Sequence, residues 1–322
     1  MKRSTPVREK PLILIVSELS NDLSVNINEI RQYKNQINDD NFKCYFIYIY
    51  SLFEGALWQL AKSILYAFPI KIGSNASAKP DTPVYNINLH DCIDLDFDKD
   101  KILCSAIDEK LYKISKANLI DFWVDFKKIV GIECEIDENK LRELSKFRNS
   151  VVHNNTLKEL DDLNRTSLPE HTQYGKSEIN SFADELFNIL ECLKSKIEVQ
   201  YKKYTHKKLL KEAWEYTVGG YLRFDELIGF GKSSLLGERT VVCPKFKALE
   251  RAYEDFSSSE KTMLALWMQQ YSTTINAKYI KCADISAFVS LDHCSIEKLI
   301  FIIRLFKKFP FLMDGQDYGE EL

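Results

Sequence analysis

The chain has 322 residues, 45% of them hydrophobic and 12% aromatic, with only 11 Gly and 8 Pro. That composition excludes a disordered chain, a collagen-like one and a low-complexity linker, and so few helix breakers favour helices over a turn-rich β fold. Lys and Arg number 44 against 47 Asp and Glu, a formal net charge of −3, which excludes bulk positive charge as a way of binding nucleic acid and leaves only a local basic surface.

The chain opens on a basic lead and a short apolar run, PLILIV, which stops at Ser17-Glu18. That run is shorter than the roughly 7–15 apolar residues of a signal peptide and has no cleavage site after it. Residues 12–38 predict the first helix. Leu12, Ile15, Val16, Leu19, Leu23 and Ile27 recur at three- and four-residue spacing, and Ile30 and Ile37 extend the stripe. Asn38-Asp39-Asp40-Asn41 is a turn cluster. Residues 42–68 are almost continuously apolar, with no Pro until Pro69. That is too long for one strand, so a central buried helix is expected. The β-branched and aromatic content of Cys44–Tyr50 keeps a strand open there.

Residues 70–100 lose the pattern and hold Gly73-Ser74-Asn75, Lys79-Pro80, Thr82-Pro83 and the acidic run Asp91–Asp100. They read as a long loop or insertion. Helical pattern resumes over 101–116 and 117–130. Asp137 is placed to cap a helix in which Leu141, Leu144, Val151 and Val152 lie on or near one stripe, with Phe147 beside it. Asn154-Asn155 is a plausible stop, because Asn tolerates the left-handed cap conformation. Residues 155–174 read as a polar connection. Residues 175–217 read as one long helix or two, broken near Tyr204-Thr205-His206.

From 218 the texture changes, since Gly219, Gly220, Gly229, Gly231 and Gly237 all fall in the next stretch. Tyr221–Phe224 and Arg239–Cys243 predict a small hairpin, and 246–256, 259–271 and 295–309 predict helices. The expected architecture is all-α: a helical domain over 1–217, carrying the 70–100 loop or insertion, and a smaller, mostly helical domain over 218–322.

Eight cysteines sit singly at 44, 92, 104, 134, 192, 243, 282 and 294, none in a CxxC pair. A secreted disulfide framework is denser than this, so buried thiols and a cytoplasmic protein are expected. No stretch approaches the roughly 20 apolar residues of a membrane span, so no membrane association is expected.

The sharpest chemical signal is Arg148-Asn149-Ser150-Val151-Val152-His153-Asn154-Asn155. It puts a fixed cation, an amide and an imidazole near the expected end of a helix. His gives or takes a proton near neutral pH, and Arg holds phosphate oxygens bidentately. Such a set suits phosphodiester cleavage without a metal. On an ideal helix Arg148 and His153 stand about 140° apart, so they converge only if the helix ends near Val152 or two copies of the chain meet. The blander reading is a histidine favoured by the negative helix end, with Arg148 on a solvated face.

The string RNSVVHNN resembles the R-x4–6-H motif of the HEPN superfamily, all-α proteins many of which are ribonucleases. Asn149 matches the polar residue that often follows the Arg, and LRELSKF the hydrophobic pattern before it. YSLFEGALWQLAK is similar to the early helix of the RiboL-PSP type of HEPN protein, in which Glu54 takes the place of an acidic residue among apolar ones. The resemblance covers roughly 10–215 and leaves the last hundred residues unassigned. It implies that Arg148 and His153 form a catalytic pair with Asn149 beside them. It also implies metal-independent cleavage of cellular RNA such as tRNA through the ribose 2′-OH, leaving a 2′,3′-cyclic phosphate. The implied setting is a toxin or anti-phage defence protein, with an inhibitor or trigger protein to restrain it.

Glu54 also stands out by itself, because a lone carboxylate in an apolar helix is costly unless paired. Arg148 is the expected partner, and a Glu54 turned outward is the alternative. Lys146, Lys202, Lys203, Lys207 and Lys208 are candidate contacts to RNA phosphates, the last four in a cluster with two aromatics that also reads as a solvated helix face. Gly229-Phe230-Gly231-Lys232-Ser233-Ser234 lacks the first Gly of a Walker A loop, with Glu226 in its place, and reads as a flexible turn. His90 with Cys92, and His293 with Cys294, are too isolated for zinc, so no metal or other cofactor is expected. A homodimer is expected, since one motif supplies one His and one Arg while RNA cleavage uses a proton acceptor and a proton donor. The alternative from another class is a non-catalytic HEPN-like dimeric scaffold or regulator that binds a protein or nucleic acid.

Overall fold

The computed structural model describes residues 10–73, 89–95, 98–115, 119–134, 136–161, 176–218, 227–233, 239–268 and 291–308. The chain divides into two compact units. The N-terminal unit is Val16–Lys202; the C-terminal unit runs from Lys203 onward and takes in the chain start through Ile15. The architecture is mostly helical, as its composition predicts.

In the N-terminal unit, helices α1 (Val16–Lys34), α2 (Phe42–Ala67), α3 (Leu89–Asp94), α4 (Lys99–Ser115), α5 (Leu119–Val130), α6 (Glu138–Asp161) and α7 (Lys176–Gln200) follow in order. A short 3-10 turn, Pro69–Gly73, follows α2. Helix α2 is the hub and packs against α1, α4, α5, α6 and α7. Its apolar run explains this: Phe46, Ile49, Phe53, Leu57, Leu60 and Ile64 are all buried. The strand left open at Cys44–Tyr50 does not form, because that segment lies within α2. The opposite side of α2 is exposed at Cys44, Tyr48, Ser51, Gly55 and Gln59, spaced at one helix turn.

Two joints fix α6, which carries the sequence motif. Helix α5 ends on Gly131, whose positive φ of 71° suits glycine, and the Gly131 N–H bonds the Lys127 carbonyl at 2.8 Å. The Lys71 ammonium donates to the Ile129 carbonyl at 2.6 Å, placing a cation on the negative end of that helix. Asp137 then caps α6, its Oδ1 accepting the Asn139 N–H at 2.9 Å. Leu141, Leu144 and Phe147 are buried along one face of α6, and the Phe147 ring lies 4.6 Å from that of Phe46. Phe147 therefore belongs to the buried stripe rather than beside it.

Several expectations are corrected. The first helix begins at Val16, and residues 10–15 are non-helical. Helix α6 does not stop at Asn154-Asn155 but continues to Asp161, taking the start of the expected polar connection with it. Within 70–100, a 3-10 turn and α3 are ordered elements, and residues 74–88 lie outside the described residues. The domain boundary expected near 215–220 falls instead at Lys202/Lys203, because α8 (His206–Val218) buries its apolar face in the C-terminal unit. Buried thiols are the exception rather than the rule among the described cysteines: Cys134 is buried, while Cys44 and Cys294 are exposed on outward helix faces.

In the C-terminal unit, α8 packs against β2 (Arg239–Pro244), α10 (Ser258–Met268) and α11 (His293–Lys308). Strand β1 (Ile228–Ser233) pairs antiparallel with β2, Phe230 opposite Val242, and α9 (Phe246–Ala252) follows. The hairpin thus forms with Ile228–Ser233 as its first strand, so Gly229–Ser233 is not a flexible turn; residues 219–226, including the expected strand Tyr221–Phe224, lie outside the described residues. Trp214, Trp267, Phe301 and Ile15 share one core. Inside it the Trp267 indole N–H donates to the Thr217 hydroxyl at 2.9 Å, which itself donates to the Ala213 carbonyl at 2.7 Å. Among the described residues no helix is long and apolar enough to cross a membrane.

Candidate active site

Position along α2 decides which of its residues meet α6. Tyr50, Glu54 and Trp58 recur every four residues and so share one face of the helix. Tyr50 is buried at the base of that face, with Glu54 and Trp58 half-buried further along. From α6, Arg148 brings its guanidinium to 6.0 Å from the centre of the Tyr50 ring. Leu119 and Phe122 from α5, with Ser115 at the end of α4, close the other side. The result is a cleft of about 340 Å³ lined by Glu54, Gly55, Trp58, Ser115, Leu119, Phe122 and Arg148. A Cβ built on Gly55 meets nothing within 4 Å, so this part of the cleft is open space.

The electrostatics follow from that packing. Burial pushes the Glu54 carboxyl above its ordinary range, and the Arg148 charge works against the shift. The two share the cleft and feel one another's field, but among the described residues no contact ion pair joins them and no hydrogen bond reaches the Glu54 carboxylate. The Tyr50 phenol is pushed up by burial and then by Glu54, against the Arg148 charge and a hydrogen bond from Ser145. It is therefore a protonated hydrogen-bonding group at neutral pH. Arg148 Nη1 donates to the Asn149 side-chain oxygen at 3.1 Å, which ties the motif's amide to its cation on the exposed flank.

The other expected site residues are distributed more widely. His153 lies on α6, and its side chain is outside the described residues. Because α6 runs unbroken past it, the positions of Arg148 and His153 are about 140° apart around the axis and the helix end does not bring them together. Lys146 is exposed on α6 but does not line the cleft, being two residues and about 160° from Arg148 around the helix. Lys202 closes the N-terminal unit; Lys203, Lys207 and Lys208 belong to the C-terminal one. All four are exposed. Lys203 and Lys208 lie over the Tyr204 ring at 5.1 and 5.6 Å, Lys207 lies over Phe230 at 5.0 Å, and Lys208 pairs with Glu212 at 3.6 Å.

Sequence reasoning missed Tyr50, Trp58, Ser115, Leu119 and Phe122 as site residues. The first two had a signal, their four-residue spacing from Glu54. The others had none, since only packing brings α4 and α5 to that face. No family model, no curated protein and no solved structure matches the chain.

Proposed function

We propose that the chain is a metal-independent endoribonuclease of the HEPN type, acting on cellular RNA in a toxin or anti-phage setting under the control of an inhibitor or trigger. The observation that carries this reading is the shared cleft. Glu54 and Arg148 are two of the four residues that the resemblance selects, they lie far apart in sequence, and they line one pocket with Trp58 and Phe122. A guanidinium beside aromatic surface suits a nucleic acid, whose phosphate and base need those two partners.

In this mechanism a neutral His153 takes the proton of a ribose 2′-OH. The 2′ oxygen attacks the adjoining phosphorus, the bond to the 5′ oxygen breaks, and a protonated His153 supplied by a second copy protonates that leaving oxygen. Arg148 holds the non-bridging oxygens through the transition state. The continuity of α6 supports a homodimer, since a second chain is the remaining way to gather these groups.

The test is cleavage of RNA by wild type and by His153→Ala in excess EDTA, with the product ends identified. Wild type is expected to leave 2′,3′-cyclic phosphate or 3′-phosphate ends, to fail on a 2′-deoxy cut site, and to arrest growth when expressed. Arg148→Lys is expected to fail as well, because an ammonium lacks the planar fork. A chemical step that requires Mg²⁺, or a His153→Ala variant as active as wild type, refutes the mechanism.

A further inference from the structure

We propose that the cleft between α2, α5 and α6 reads a nucleobase: Glu54 accepts the two adjacent N–H donors of a guanine edge, Trp58 carries the ring, and Arg148 holds the neighbouring phosphate. This makes Glu54 a specificity-determining residue, and it rests on the ribonuclease reading for the polymer to which the guanine belongs.

Glu54 lacks donors for its carboxylate among the described residues. It is half-buried and lines the cleft. An ionised carboxylate accepts hydrogen bonds and donates none. Burial disfavours its charge and raises its pKa, and the Arg148 charge, which makes no contact pair with it, works against that shift. A ligand with two parallel N–H groups removes that penalty. Among the four RNA bases only guanine presents two adjacent donors, N1–H and the N2 amino group, on its pairing edge. Adenine and cytosine each set one amino donor beside a ring acceptor that repels a carboxylate, and uracil flanks its one N–H with two carbonyls.

The remaining walls fit the rest of a nucleotide. Trp58 stands one turn beyond Glu54 on the same face of α2, and Phe122 and Leu119 supply apolar surface opposite. Arg148 adds a cation with forked donors suited to phosphate. A volume of about 340 Å³ is at the small-ligand end of the range for binding pockets, the scale of one nucleotide. Gly55 leaves the space above α2 open for it.

The test is calorimetric titration of the full chain with guanosine, adenosine, uridine and cytidine 3′-monophosphates. Guanosine monophosphate is expected to bind about 10- to 100-fold more tightly than the others, the usual worth of one bidentate contact to a base. Glu54→Gln replaces one acceptor with a donor and is expected to erase that preference, while Trp58→Ala weakens all four. Gly55→Leu fills the open space from an exposed position and is expected to block all four with the fold intact by circular dichroism. Equal binding of the four nucleotides, a guanine preference that survives Glu54→Gln, or no binding of any of them at millimolar concentration overturns the proposal. An active nuclease that cuts evenly at all four bases overturns the base reading alone. Guanine-selective binding by a chain that cleaves no RNA supports the pocket and overturns the ribonuclease reading.

Discussion

At the scale of single residues, the unusual group is Glu54. Its carboxyl is raised by burial, so the folded chain binds that proton more tightly than the unfolded chain does. A raised folded pKa gives stability that is fully present below the unfolded value, near 4.3 for a Glu, and is lost as pH rises through the folded one. Glu54→Gln is neutral at every pH, so its melting temperature is expected to exceed that of wild type at pH 7. The gap closes as pH falls below the ordinary carboxylate range. Thermal melts across that range check this, and a gap that does not change with pH refutes it. The neighbouring Gly55 is an exposed residue in mid-helix with open space around a built Cβ. Gly55→Ala is expected to stabilise the chain by about 0.5–1 kcal/mol in denaturant unfolding, the entropy that glycine costs a helix.

At the scale of elements, the joint between α5 and α6 decides where Arg148 sits. Asp137 satisfies the N–H of Asn139, an otherwise orphaned donor at the start of α6. Asp137→Ala is expected to cost about 0.5–2 kcal/mol. Gly131→Ala, at a φ of 71°, is expected to cost about 1–2 kcal/mol in addition. Urea titrations of both variants and of their combination measure these losses. If they leave stability unchanged, the joint is not holding the two helices. The side-chain pairs on this unit's surface, such as Lys140 with Glu185 at 2.9 Å and Lys62 with Asp108 at 2.6 Å, are exposed enough that each adds little.

At the scale of the whole molecule, the chain start belongs to the unit built from its far end. Ile15 is 2% exposed in the core with Leu209, Trp214 and Phe301, and the Lys10 ammonium lies 5.8 Å from the Phe301 ring centre. Ile15→Ala is expected to lower stability by about 2–5 kcal/mol, as removing buried methyl groups from a packed core does. The expected signal is an earlier loss of the buried emission of Trp214 and Trp267 in denaturant. The second prediction at this scale is assembly. With α6 continuous past His153, the proposed chemistry needs two chains, and light scattering is expected to report a homodimer. A fully active monomer refutes that expectation.

The sequence by itself determined the mostly helical architecture and the place of most helices, though not every helix end. The apolar run 42–68 reads as a long buried helix, because no break interrupts it and no strand reaches that length, and only the structure closes the alternative of a strand at Cys44–Tyr50. Asp137 was legible as a cap and the break near Tyr204 as a joint, since both depend on local backbone chemistry. Glu54 and Arg148 were legible as unusual residues, one by its apolar surroundings and one by its motif. Tertiary structure alone decided that they share a cleft, that Trp58 and Phe122 wall it, and that Lys146 stays outside it. Those facts depend on which faces of α2, α5 and α6 pack together, and residues distant in sequence leave no local mark of that. The same holds for the unit boundary and for the end of α6. Asn154-Asn155 tolerates a helix stop without enforcing one, and the apolar faces of residues 10–15 and α8 complete a core whose other members lie beyond residue 226.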